Sequence, residues 1–194
     1  MKNYYEINAK QYILDTKDSN MSEQYKFFLK HIKKEALILD IGFGSGRDML
    51  YFSSLNYKVE GLDSTKEFID NMKDKFTVYH QQVEELNITD KYDAIWACAS
   101  LLHVNRVNLK ETIKRCLNAL KNDGIMYMSF KEGNKEITID NRYFNYINEP
   151  ILKDILDSLN VTLIDIMYSL DVRGNDTKWM SVIIKKGNKY EKRY

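Results

Sequence analysis

The stretch LILDIGFGSGRD, residues 37–48, constrains this chain more than any other. It places three of only eight glycines within five positions, directly behind an apolar run. A short, continuous apolar segment bounded by turn residues reads as a buried strand of a parallel sheet. Glycines behind such a strand let the backbone turn sharply and approach a ligand where any Cβ would collide. A helix opening near Arg47 would aim its free N–H groups and the positive end of its dipole at the same space.

The rest of the chain alternates in the same manner. RDMLYFSSLN reads as a helix and YKVEGLD as a second strand. STKEFIDNMKDK opens on a Ser/Thr pair followed by Glu67, the pattern of a capping box, and sets Phe68, Ile69 and Met72 on one side. Strands follow in FTVYHQQ and YDAIWACAS. The stretch from Leu109 carries Ile113, Cys116, Leu117 and Leu120 on one helical stripe. LKNDGIMYMSF is expected to end that helix at Gly124 and enter a fifth strand. NEPILKDILDSLN reads as a helix, and VTLIDIMYSL and WMSVIIKK, with no helix between them, as an antiparallel pair. The first forty residues form a helical preface with Met21, Tyr25, Phe28, Leu29 and Ile32 on one stripe. Strands alternating with helices imply an α/β sheet with right-handed crossovers and helices on both faces.

The glycine pattern is Asp40-x-Gly42-x-Gly44-x-Gly46, and an arginine at position 47 leaves the dinucleotide fingerprint G-x-G-x-x-G incomplete. The second strand ends in Asp63, seventeen residues after Gly46. A carboxylate there can accept hydrogen bonds from both hydroxyls of a ribose. Glycine loop and acidic strand end, in this order, point to an adenosine-type cofactor.

Charge narrows the partners. The 29 basic and 28 acidic residues leave a net charge of +1, so there is no electrostatic reason to expect nucleic acid or a membrane surface. Cys98 and Cys116 lack CxxC spacing and read as reduced core thiols of a cytoplasmic protein. No signal-peptide pattern and no run approaching ~20 apolar residues is present, so a soluble, cytosolic chain is expected. The 194 residues suit one domain, residues 1–34 as a helical lid and 35–194 as the core. His31, His80 and the cysteines show no metal-ligand spacing, so no metal is expected.

LDIGFGSGRD resembles motif I of the class I S-adenosylmethionine-dependent methyltransferases, D/E-x-G-x-G-x-G. The likeness runs through YYEINAKQYILDT, YDAIWACASLLHV, MYMSFKEG, NRYF and DVRGNDTKW, and is similar to a bacterial subgroup of small methyltransferases labelled tellurite-resistance-like. WACASLLHV is its narrowest element. Phe43 stands where the subgroup has a small Cys, and KEITIDNRYF replaces a glycine-rich, acidic stretch.

That resemblance implies a Rossmann-like fold, a seven-stranded, mostly parallel sheet with an antiparallel last strand under an N-terminal lid. It implies S-adenosyl-L-methionine as cofactor, S-adenosyl-L-homocysteine as product and a small-molecule acceptor carrying O, N, S or a chalcogen. The backbone of Gly42, Phe43, Gly44 and Gly46 would face methionine and ribose. Asp40 would orient the loop or meet the methionine ammonium, Asp63 would hold the ribose, and Ser64 would pack beside the adenine. Gln82 and Val83 are adenine contacts or, for Gln82, a solvated turn residue. Ala97 would present its carbonyl to the ammonium. Arg47 would offset the methionine carboxylate or is simply a helix-start arginine.

His103, just past the fourth strand, reads as a general base or, the favoured reading, as a hydrogen-bonded structural histidine. Tyr4, Tyr5 and Tyr12 of the lid are candidate pocket walls. Lys131, Arg142, Tyr143, Arg173 and Trp179 fall near strand ends or late loops. Arginines favour bidentate capture of carboxylate-like groups, so an anionic or polar acceptor is expected, with surface ion pairing as the rival. Proximity and orientation can supply ~7–11 kcal/mol of the barrier in such a transfer, so no catalytic dyad is required. A nucleic-acid or protein methyltransferase, a non-catalytic cofactor binder and a nicotinamide dehydrogenase remain the alternatives, and the chain is read as a monomer or homodimer.

Overall fold

Side chains along the central strands alternate between two apolar layers, and this alternation builds the fold. In β1 (Leu37–Ile41), Ile38 joins one layer, and Leu39 and Ile41 the other. In β4 (Tyr92–Ala97), Ala94 and Trp96 face the first layer, and Ile95 and Ala97 the second. β5 (Leu120–Lys131) repeats the pattern with Ile125 and Tyr127 against Met126 and Met128. A strand apolar on both faces must be covered twice, which is why helices flank the sheet on both sides. Burying each of these large side chains contributes roughly 1.5–3 kcal/mol.

The computed structural model describes residues 4–187. Residues 1–3 of the expected lid and 188–194 of the expected core lie outside the described residues. Ahead of β1 run α1 (Tyr4–Thr16) and α2 (Ser22–Leu29); after it come α3 (Arg47–Ser54), β2 (Lys58–Asp63), α4 (Lys66–Met72) and β3 (Thr77–His80). The chain continues beyond β4 with α5 (Arg106–Ala119), β5, β6 (Glu136–Ile139), β7 (Arg142–Asn145), α6 (Glu149–Leu156), β8 (Val161–Leu170) and β9 (Lys178–Lys186). The seven-stranded sheet has the order β3-β2-β1-β4-β5-β9-β8, parallel except for β9, which runs antiparallel to both neighbours. This is the expected Rossmann-like α/β sheet. Strand order reverses between β1 and β4, so a crevice opens at their carboxyl ends.

Two local expectations are corrected and one stretch gains an element. The fifth helix ends at Ala119, not Gly124, because Leu120 already pairs with Tyr92 and the ladder then bulges, with Asp123 in the left-handed region at φ 62°. The capping box at Glu67 does not form: the Thr65 side chain makes no cap bond, and the Thr65 N–H donates instead to Asp63 Oδ1 at 2.8 Å. KEITIDNRYF, to which the sequence assigned no element, forms the hairpin β6–β7. Arg106 anchors it, donating from Nε to Asn145 Oδ1 (2.9 Å) and from its terminal nitrogens to the carbonyls of Asn134 (3.2 Å) and Tyr146 (2.8 Å). Among the described residues, no helix is long and apolar enough to cross a membrane.

Candidate active site

The loop between β1 and α3 is fixed by its glycines. Gly42, Gly44 and Gly46 all have left-handed φ, at 69°, 53° and 77°. At Gly42 a Cβ would also lie 2.5 Å from Ser100 Cβ, so the loop passes the end of β4 with no room for a side chain. The Gly42 N–H donates to the Leu62 carbonyl at 2.7 Å, tying the loop to β2.

Asp63, the last residue of β2, accepts from the Gly44 N–H at 3.0 Å through Oδ2 and from Thr65 through Oδ1. Burial raises its pKa, and the backbone N–H bonds oppose that rise. Asp63 therefore positions the glycine loop as well as lining a cavity of about 300 Å³. Ser64, Gln82, Val83, Gly44 and Tyr4 line the same cavity.

A second cavity, about 230 Å³, lies on the other side of the β1–β4 crevice. Phe43, Arg47, Cys98, Lys131, Arg173 and Trp179 are in its wall. Tyr5, Tyr12, Gly42, Ala99, His103 and Arg142 border both cavities. Tyr143 lines only the larger one. Asp40, Gly46 and Ala97 are not among the lining residues; at the end of β4 the wall is made by Cys98 and Ala99. Ala99 sits in the left-handed region at φ 50°, its N–H held by Ser129 Oγ at 2.8 Å.

α1 forms the roof. Tyr12 lies against the loop so closely that a Cβ on Gly44 would be 3.0 Å from its Cε1. Its ring meets Tyr5 edge-on at 5.3 Å and Phe68 at 5.5 Å, and Ala9 packs in the same cluster. Tyr5 meets His103, whose Nε2 is 2.8 Å from the Tyr5 hydroxyl. His103 Nδ1 lies 2.7 Å from the Tyr143 carbonyl, which can only accept, so Nδ1 carries the proton and Nε2 accepts from Tyr5. Burial, together with Arg142 and Lys131, lowers the His103 pKa, which keeps the ring neutral near pH 7.

Beneath the loop lies a charge network absent from the sequence reading. Asp48 accepts from Tyr25 Oη (2.5 Å), Trp96 Nε1 (2.8 Å) and Arg47 in a bidentate pair (2.6 and 3.0 Å). Arg47 is therefore engaged within the protein, although it faces the smaller cavity. Asp40 is buried beside this network; burial and the Asp48 charge raise its pKa well above the usual carboxylate range, and its Oδ2 has no partner. An orphaned buried acceptor beneath a glycine loop fits a cationic ligand group nearby. Burial pushes the Cys98 thiol up to about 12, so it is a packing group rather than a nucleophile.

The signal for Asp48 was weak because an acidic residue in the first turn of α3 reads as dipole compensation. Only its burial against Trp96, from β4, reveals the network.

Residues 38–124 match the family described as a methyltransferase domain. That match spans 87 of the 194 residues, from β1 into β5. Among solved structures, 1,6-didemethyltoxoflavin-N1-methyltransferase of Burkholderia thailandensis, with bound 1,6-didemethyltoxoflavin and S-adenosylhomocysteine, superposes with a TM-score of 0.79. It is 19% identical, over 92% of this chain and 83% of that one. A SAM-dependent methyltransferase of Methanosarcina mazei gives a TM-score of 0.75 at 18% identity, covering 84% and 98%. The [4+2]-cyclase SpnF gives 0.74 at 13%, covering 94% and 93%. At such identities the likeness establishes the methyltransferase fold alone. No curated protein matches the chain.

Proposed function

We propose that this methyltransferase transfers the methyl group of S-adenosylmethionine to an O, N, S or chalcogen atom of a small polar or anionic molecule. One observation carries the reading: two cavities meet under the α1 roof at Tyr5, Tyr12, Gly42, Ala99, His103 and Arg142. One side carries the ribose-type acidic group and the other carries cations and aromatic rings. A [4+2]-cyclase shares the fold, so it is this acceptor-side cavity, not the fold, that supports small-molecule transfer.

Bound there, S-adenosylmethionine would supply an activated methyl group carried on a sulfonium. Asp63 would hold the ribose with the lone pairs its two backbone bonds leave free. Ser64, Gln82 and Val83 would border the adenine, and the Gly42–Gly44 backbone and Phe43 would border ribose and methionine, with Cys98 and Ala99 at the end of β4 in the place expected of Ala97. Asp40, buried behind the glycine loop, would orient that loop, and Arg47 would stand on the carboxylate side. Tyr4, Tyr5 and Tyr12 exclude water from above. His103 is a positioning residue, since its Nε2 is occupied by Tyr5. Residues 1–34 act as lid to a core of residues 35–194, in a cytoplasmic bacterial protein of the tellurite-resistance-like subgroup, a membership supported by WACASLLHV.

Two measurements test the proposal. Calorimetry is expected to show S-adenosylhomocysteine binding that Asp63→Ala weakens about 10–100-fold, with no binding of NADH. Tritiated S-adenosylmethionine incubated with a metabolite extract is expected to label a small molecule. Undiminished binding by the Asp63→Ala protein, or no transferred label, overturns it.

A further inference from the structure

We propose that the acceptor is an organic monoanion, a carboxylate on a flat unsaturated body, and that the Lys131 ammonium selects it; this rests on the methyl-transfer reading above.

Four cations border the smaller cavity; Arg47 is paired with Asp48, and the structure leaves the other three unequal. Arg173 is neutralised: its Nε and terminal nitrogen donate to the two oxygens of Asp171 at 3.0 and 2.9 Å. Asp171 also accepts from Trp179 Nε1 at 3.2 Å, so its carboxylate is fully engaged. Arg142 lies over the Tyr4 ring at 3.9 Å, and a terminal nitrogen pairs its charge with Asp140 at 3.7 Å, although its buried Nε has no partner. Lys131 differs. No ion pair or side-chain hydrogen bond involves its ammonium among the described residues, which lies over the rings of Phe144 at 4.1 Å and Tyr146 at 5.6 Å. Aromatic faces attract a cation but offer its three N–H groups no lone pair.

The place of Lys131 matters as much as its charge. It ends β5, paired with Trp179 of β9, at the carboxyl edge of the sheet that opens on the cavity. Burial, reinforced by Arg173 and Arg142, holds its pKa below the usual lysine range. A half-buried, uncompensated ammonium is stabilised by an incoming anion. One such charge matches a monoanion; a phosphate dianion would call for a second free cation or a bidentate arginine fork. Tyr5, Phe144 and Trp179 supply flat apolar walls, which favour a planar body over a branched aliphatic one. A space of about 230 Å³ restricts that body to a small molecule.

The test divides a metabolite extract by anion exchange at neutral pH and incubates each fraction with the protein and tritiated S-adenosylmethionine. Label is expected in a product of the retained, anionic fraction. Lys131→Met is expected to reduce that labelling at least about tenfold, Lys131→Arg to keep much of it, and both to bind S-adenosylhomocysteine as the unaltered protein does. Label confined to the neutral flow-through overturns the inference but leaves methyl transfer standing. Lys131→Met labelling at the unaltered level also overturns it. Label in no fraction overturns methyl transfer and this inference with it. If the Met variant fails to bind S-adenosylhomocysteine, the charge of the fraction labelled by the unaltered protein decides.

Discussion

The Tyr5 hydroxyl donates to His103 Nε2 across 2.8 Å, joining the roof helix to the edge of the sheet ninety-eight residues away. The bond needs a neutral imidazole, because a proton on Nε2 would remove the acceptor. The roof helix is thus fastened by an imidazole whose pKa burial holds below its ordinary value.

A pH dependence follows from this bond. Burial lowers the His103 pKa in the folded protein, so the unfolded chain binds more protons and stability rises with pH up to the unfolded value of about 6.5. Thermal unfolding of the unaltered protein and of His103→Gln between about pH 5 and 7.5 checks this. The advantage of the unaltered protein is expected to grow with pH and level off above about 6.5; a constant difference contradicts it.

Gly42→Ala is expected to be more damaging than a single methyl implies. Alanine at φ 69° costs about 1–2 kcal/mol, and its Cβ would sit 2.5 Å from Ser100 Cβ. The loop must shift, so S-adenosylhomocysteine affinity should fall at least about tenfold and the melting temperature should drop. Calorimetry and a thermal melt read both, and wild-type affinity would refute the prediction.

Asp48→Ala should destabilise without touching the larger cavity. It strips a buried partner from Arg47, Tyr25 and Trp96 together, and breaking one side of a buried ion pair costs about 3–5 kcal/mol. Denaturant unfolding measures the loss; a change under about 1 kcal/mol would show that the network is dispensable.

Arg106→Ala should loosen the β6–β7 hairpin alone. Its guanidinium supplies side-chain bonds from α5 to Asn134, Asn145 and Tyr146. Amide exchange in residues 136–145 is expected to accelerate while β1 and β4 stay protected. Uniform exchange across the sheet would argue against a local anchor.

The order of strands and helices, the glycine bend and the acidic end of β2 were legible in the sequence. Each depends on residues next to one another: the left-handed turns on Gly42, Gly44 and Gly46, the strands on apolar runs and the helices on spaced apolar stripes. Contacts between distant segments decided the rest. Gly124 looks like a helix stop, but pairing of Leu120 with Tyr92 ends α5 earlier. KEITIDNRYF becomes a hairpin because Arg106 holds it. Asp48 is a first-turn acid until Trp96 closes over it, and Lys131 and Arg173 are equal cations until Asp171 neutralises one of them. Backbone geometry is set by neighbouring side chains, whereas burial and charge compensation are set by whatever the fold brings alongside.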